Sequence, residues 1–256
     1  MEIKNKIIEV NNLKKTFITE KQNRIEALKE INLDIGEQEF VCLIGPSGSG
    51  KSTLLRLMEG LIFPTEGIVK VKNKIVTGPL PEAGMVFQEY SLMPWRNIID
   101  NVSFGLEIRN IPKIRRYARA EELLEKFGLS EFLQSYPYEL SGGMQQRAAI
   151  ARAIAASPDI LFMDEPFGAL DAYTRLQMQK DLIDFWLEEK RTVVFVTHSI
   201  EESIFLGTKI ILMSPRPGQI DKEYDINLPY PRNRFNKKFQ EYFEDIMERM
   251  NEISKN

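Results

Sequence analysis

Apolar and polar positions alternate over residues 7–18 and 25–35 in the manner of half-buried strands. Leu28, Ile31, Leu33 and Ile35 mark the inward face of the second. The polar stretch Thr19–Arg24 between them predicts an antiparallel pair. Phe40-Val-Cys-Leu-Ile44 is an unbroken apolar run with β character, which predicts a strand buried on both faces. Helical spacing follows at Thr53–Gly60, with the glycine as its stop. Strand grammar returns at Ile68–Lys72 and Gly84–Gln88, separated by a turn at Asn73-Lys74 and a loop at Thr77–Pro81.

The pattern then changes to helices with more polar faces. Asn97–Ile108 and Lys113–Phe127 read as helices, broken near Pro112 and at Gly128-Leu-Ser130. Gly142–Ala156 is a long Ala- and Gln-rich helix ended by Ser157-Pro158. Ile160–Met163, Thr192–Val196 and Lys209–Met213 are further strands, with a helix at Thr174–Lys190. After a Pro- and Arg-containing stretch at Pro229–Arg234, eight apolar residues follow helical spacing. They are Phe235, Phe239, Tyr242, Phe243, Ile246, Met247, Met250 and Ile253. Glu241, Glu244, Asp245 and Glu248 make the other face acidic, so this helix is expected to pack on its own domain rather than lie on a membrane.

Composition narrows the classes. An apolar fraction of 43% over 256 residues supports a full core, and a net charge of −3 supplies no general basic field for nucleic acid. The single cysteine, Cys42, lies inside the apolar run, so no disulfide can form within the chain and a reducing compartment is expected. Met1–Ile8 has no h-region, and no apolar run approaches membrane-spanning length, so any membrane role needs partner chains.

The chemistry centres on Gly45-Pro-Ser-Gly-Ser-Gly-Lys-Ser-Thr53, which fits G-x-x-x-x-G-K-[ST] between a predicted strand and a predicted helix. Glycines let successive backbone N–H groups converge on one anion, and the helix N-terminus adds partial positive charge. Lys51 supplies a mobile charge for β- and γ-phosphates, and the Ser52 hydroxyl can ligate Mg²⁺. The expected fold class is α/β: a P-loop NTPase (RecA-like) core with an antiparallel β subdomain and an inserted helical subdomain. The core spans 1–88 and 159–228, the helical subdomain 89–158, and a linker with the amphipathic helix 229–256.

Two further stretches carry charge chemistry. Ile160-Leu-Phe-Met-Asp-Glu-Pro166 delivers two carboxylates at the end of a buried strand, where α/β folds place ligand chemistry. Asp164 can hold the Mg²⁺ shell and Glu165 can polarise an attacking water. Leu140-Ser-Gly-Gly-Met-Gln-Gln-Arg147 opens the long helix, so Ser141, Gly142 and Gly143 form a second helix N-terminus stripped of side chains. It reads as an anion site or as an ordinary serine N-cap.

On these motifs the chain resembles the nucleotide-binding subunit of ATP-binding-cassette (ABC) transporters over nearly its whole length. The glycine loop looks like Walker A, 160–165 like Walker B and 140–147 like the LSGGQ signature, with Met144 in place of Gln. The resemblance implies a head-to-tail dimer or paired cassette, in which the signature of one subunit faces the P-loop of the other and two ATPs are buried. It implies ATP binding by Phe17, by Gly45, Pro46, Ser47, Gly48, Ser49, Gly50, Lys51, Ser52 and Thr53, and by Gln88. Signature contact in trans would come from Ser141, Gly142, Gly143 and Met144, and a D-loop at Gly168–Asp171 would end on Asp171. Mg²⁺ would be tended by Ser52, Gln88 and Asp164. Glu165, His198 and Lys51 would be catalytic, with His198 sensing the γ-phosphate. Phe17 replaces the commoner Tyr beneath adenine, and Gly168 the commoner Ser.

Val76–Pro79, Gly84–Gln88, Ser91–Asn97, Asp100–Gly105 and Met213–Gly218 look like the nitrate/sulfonate/taurine importer subfamily. That resemblance implies an ATPase driving uptake of a small anion (nitrate, alkanesulfonate, taurine or bicarbonate). Its partners would be an integral-membrane permease and, indirectly, an extracytoplasmic binding protein, with the chain peripheral on the cytoplasmic face. Leu92, Met93, Pro94 and Trp95 form an apolar cluster suited to permease contact. The alternatives are a soluble, non-transport ABC ATPase, and import of a thiamine-precursor pyrimidine by the same architecture.

Overall fold

The computed structural model describes residues 5–168 and 170–255. Met1–Lys4 of the Met1–Ile8 leader reading, and Ala169 of the D-loop, lie outside the described residues. In chain order the elements begin with β1 (Lys6–Ile18), β2 (Arg24–Gly36), β3 (Phe40–Ile44), α1 (Lys51–Glu59), β4 (Glu66–Val71), β5 (Lys74–Ile75) and β6 (Ala83–Val86). Then come α2 (Ile98–Ile108), α3 (Lys113–Lys126), α4 (Gly142–Ala155), β7 (Ile160–Asp164), α5 (Ala172–Glu189) and β8 (Thr192–Val196). The chain closes with α6 (Ile200–Leu206), β9 (Lys209–Met213), β10 (Ile220–Asp225) and α7 (Lys237–Ile253).

The chain divides into two compact units, Met1–Pro81 with Thr192–Asn256, and Glu82–Arg191. The second therefore takes in β6, β7 and α5 as well as the helices of 89–158. Local packing accounts for this. β6 and β7 pair with each other in parallel, and a Cβ on Gly84 would sit 2.7 Å from the Ala153 carbonyl of α4.

The first unit holds two sheets. One is antiparallel, in the order β2-β1-β4-β5, with β1 paired to both β2 and β4. In the other, β3 lies between parallel neighbours β8 and β9, and β10 adds antiparallel to β9. All five residues of β3 are buried, as expected of an apolar strand paired on both sides. Among the described residues no helix is long and apolar enough to cross a membrane.

The tail is part of the first unit. Phe239, Ile246 and Ile253 of α7 are buried, and the Tyr242 hydroxyl donates to Asp225 O at 3.0 Å. Phe235 falls before the helix and is exposed, so it does not belong to the buried stripe. The stretch read as a linker instead carries a structural clamp. The Arg232 guanidinium donates to the carbonyls of Ile204 (2.5 Å), Gly207 (2.6 Å), Leu228 (3.2 Å), Ile226 (3.4 Å) and Phe205 (3.5 Å). The Tyr230 hydroxyl donates to Leu206 O at 2.6 Å. Together they take up the carbonyls that the end of α6 leaves without intrahelical partners.

Candidate functional site

In the first unit the glycine loop leaves the C-terminal end of β3 and enters α1 at Lys51. Its rear is pressed against neighbouring backbone and side chains. A Cβ on Gly45 would lie 2.5 Å from Met213 O, and one on Gly50 2.5 Å from Leu28 Cδ2. Gly45, Gly48 and Gly50 have φ of 150°, 79° and 88°, in the region that favours glycine. Around the Cβ position of Gly48 no atom lies within 4 Å, so the loop crest is open.

Lys51 is buried under that crest. Its ammonium donates to Gly45 O at 2.9 Å, to Pro46 O at 3.0 Å and to Ser49 Oγ at 3.4 Å. A cation is thus held on the loop's own oxygens, at a helix N-terminus, with N–H groups free of side-chain capping at Gly50. This is the fit expected of a polyphosphate cradle. Ser52 and Thr53 lie half-buried in the first turn of α1, and Pro46 and Ser47 line the loop's outer part.

His198 belongs to the same edge. β8 runs parallel to β3 with Val196 opposite Leu43, so both strands release their loops at one end. The imidazole is exposed between two fixed neighbours. Thr197 Oγ1 accepts from Ser199 N at 3.0 Å and bonds the buried Glu202 carboxyl, while Ser199 Oγ accepts from Glu202 N at 3.1 Å as the cap of α6. Phe17, near the end of β1, is exposed, and Lys15 Nζ lies 5.0 Å from its ring centroid, so one face already carries a cation.

Sequence reasoning missed Gly218 as part of this site. It donates from N to Ala27 O (2.9 Å) and accepts at O from Lys29 N (3.0 Å), which inserts it beside β2. A Cβ there would sit 1.9 Å from Ser49 O, in the glycine loop itself. Gly218 is therefore the backstop of the loop. The only sequence signal was a Pro-Arg-Pro-Gly turn, which does not reveal a neighbour so distant in the chain. Gly218→Ala is expected to shift the loop and cut nucleotide affinity roughly ten-fold or more while the chain still folds, since such overpacking costs about 1–3 kcal/mol. Titration with a fluorescent ATP analogue, beside a thermal melt, checks this; unchanged affinity would mean that the loop absorbs the methyl group.

In the second unit β6 and β7 are parallel, with Val86 opposite Met163. Gln88, two residues past β6, and Asp164-Glu165, at the end of β7, thus share one edge. Asp164 is buried and Glu165 half-buried. Glu165 has φ 48°, a left-handed conformation uncommon for a non-glycine residue.

Ser141 is the N-cap of α4, and its Oγ accepts from Met144 N at 3.4 Å. The glycines after it have a packing reason as well. A Cβ on Gly142 would meet the Tyr90 hydroxyl at 2.6 Å, and one on Gly143 the Thr174 methyl at 3.1 Å. Asp171 caps α5, its carboxylate accepting from Thr174 N at 3.0 Å, and that backbone hydrogen bond holds its pKa below the ordinary value.

The apolar cluster is divided. Leu92 and Met93 are half-buried, whereas Pro94 is exposed and Trp95 is 73% exposed. Asn101, which sequence reasoning passed over, holds this loop from within. Its buried amide accepts from Met93 N at 2.8 Å and donates to the carbonyls of Arg96 (2.9 Å), Asn97 (3.0 Å) and Met93 (3.1 Å).

Residues 28–168 match the profile of the ABC transporter family. The nitrate import ATP-binding protein NrtD of a Synechocystis strain is 47% identical over 89% of this chain and 86% of its own. The taurine import ATP-binding protein TauB of Rhizobium johnstonii is 49% identical over 79% of this chain and 78% of its own. A solved ATP-binding cassette, dimeric and bound to ADP and Pi after hydrolysis, superimposes with a TM-score of 0.77 at 35% identity, over 87% of this chain and 100% of that one.

Proposed function

Because the chain belongs to the ABC transporter family, as an ATP-binding and ATP-hydrolysing cassette, we propose that it powers uptake of a small anion of the nitrate, alkanesulfonate, taurine or bicarbonate type. The observation that carries the nucleotide chemistry is the Lys51 ammonium held on the loop carbonyls beneath an open crest at a helix N-terminus. The anion class is supported by the two relatives named for nitrate and taurine import. On this reading two cassettes pair, a permease holds the chain peripherally at the cytoplasmic face, and a binding protein outside delivers the cargo.

We assign the residue roles from the family resemblance of each motif, and the glycine-loop geometry supports the phosphate-binding ones. The glycine-loop N–H groups and Lys51 bind the β- and γ-phosphates, and the free face of Phe17 takes adenine. Ser52 in the first unit, and Asp164 and Gln88 in the second, each offer the hard oxygen donor that Mg²⁺ takes, and on the family resemblance these residues would hold it. Bound there, the ion neutralises charge on the phosphate oxygens. Glu165 accepts the proton of the attacking water and His198 donates toward the γ-phosphate. Ser141, Gly142, Gly143 and Met144 meet the partner's nucleotide, with Asp171 at the D-loop.

Trp95 is the proposed anchor for the permease. When the tagged chain is isolated from detergent-solubilised membranes, it is expected to bring integral-membrane subunits with it. Trp95→Ala is expected to lower that recovery roughly ten-fold, as loss of an aromatic hot spot does, with ATP binding intact. Full recovery with Trp95→Ala would remove Trp95 from the interface. Recovery of the unmodified chain without any membrane partner would favour the soluble, non-transport ATPase.

A further inference from the structure

The tip of the helical hairpin formed by α2 and α3 is unlike the rest of this acidic chain. Residues 108–119 contain five cations, Arg109, Lys113, Arg115, Arg116 and Arg119, and no carboxylate. At its apex two large aliphatic side chains point into solvent, with Ile108 65% and Ile114 86% exposed. The turn between the helices is well fixed. Ile111 N donates to Leu106 O at 3.1 Å, and Pro112 O accepts from Arg115 N at 2.9 Å and Arg116 N at 3.1 Å.

The cations differ in their partners. Arg116 and Arg119 point back along the hairpin, to Glu107 at 3.7 Å and to Glu122 and Glu189 at 3.0 and 3.4 Å. Arg109 donates to the Ala156 carbonyl at 2.6 Å. Lys113 and Arg115 are exposed, and Lys113 packs against the Tyr117 ring at 4.8 Å. The apex thus presents two exposed aliphatic side chains on a hydrogen-bonded turn, bordered by the exposed Lys113 and Arg115.

We propose that this apex is a docking surface for an anionic lipid bilayer, with Ile108 and Ile114 entering the headgroup boundary and Lys113 and Arg115 meeting lipid phosphates. Charge complementarity favours this occupant. Shallow insertion of aliphatic side chains bordered by Lys and Arg is how surface-lying segments hold a bilayer. Each cation near an anionic surface raises partitioning roughly five-fold, and salt weakens the effect.

The test is co-sedimentation of the purified full chain with vesicles, without any permease. Binding is expected with phosphatidylglycerol–phosphatidylcholine vesicles, little with phosphatidylcholine alone, and less as salt rises. The double variant Lys113→Glu/Arg115→Glu is expected to lose binding roughly a hundred-fold or more, from two charges reversed. Ile114→Ser should weaken binding at unchanged charge, and circular dichroism should show each variant folded. Equal binding by the charge-reversed chain overturns the proposal. So does failure of the unmodified chain to bind either vesicle, and if the same variants then lose recovery with the permease, the apex is a protein contact instead.

Discussion

Glu165→Gln is expected to bind ATP normally and to lose steady-state hydrolysis by roughly 10²–10⁴-fold, the range that general-base catalysis contributes. The substitution keeps size and hydrogen-bonding capacity and removes the ability to take a proton. Its position makes that separation clean. Glu165 follows the buried β7 and turns in a left-handed conformation directly after Asp164. The proposed phosphate cradle is built from other residues, with Lys51 held on Gly45 and Pro46 carbonyls. Loss of turnover should therefore leave nucleotide affinity unchanged, a pattern that marks a group acting in the transition state. Size-exclusion chromatography of the same variant with Mg-ATP adds a second readout. A stalled, ATP-loaded chain is expected to elute as a dimer, with Ser141–Gly143 supplied to the neighbour's nucleotide. Near-normal hydrolysis would exclude Glu165 as the base. Intact ATP binding with no dimer would mean that closure requires the permease, or that the signature does not act in trans.

Local features were legible in the sequence because their causes are local. The apolar runs at 40–44, 192–196 and 209–213 coincide with β3, β8 and β9, since strands buried on both faces need no alternation. Gly60 ends α1 as expected, closing on the carbonyls of Arg56 and Leu57. The motif residues are legible for the same reason: a glycine loop needs its glycines wherever it occurs. Three elements escaped. β5, Lys74–Ile75, is two residues long and begins inside the Asn73-Lys74 turn. β10, Ile220-Asp-Lys-Glu-Tyr-Asp225, pairs with β9 and is mostly polar, so it lacks an apolar signature. α6 has too few turns for periodicity, and its one mark was Ser199 capping ahead of Glu202. The supports of the site were also hidden. Gly218 behind Ser49, and Asn101 beneath Met93, matter through partners that no spacing rule connects to them.

The clamp at Arg232 gives the largest expected loss of stability. Arg232 is buried, and burial pulls the pKa of its guanidinium below the ordinary value. Its charge is retained there by carbonyl oxygens and by the Tyr230 ring, 4.1 Å away. Arg232→Ala removes the donors of several carbonyls at the end of α6 and at Ile226 and Leu228. Each buried group left unsatisfied costs about 1–3 kcal/mol, reduced where water enters the space vacated by the side chain. A loss of about 3–4 kcal/mol is therefore expected, a large share of the roughly 5–15 kcal/mol that holds a domain folded. For a chain of this size that lowers Tm by about 6–16 °C. Arg232→Lys is expected to recover less than half of the loss, because an ammonium cannot reproduce the planar fork that reaches Ile204, Gly207 and Ile226 together. Urea and thermal melts of the three proteins decide it. A shift within about 0.5 kcal/mol, as surface substitutions give, would show that water replaces the guanidinium and that the tail is held by α7 alone. The expected loss would instead make residues 230–232 integral to the fold of the first unit, where they secure the helix that begins directly after His198.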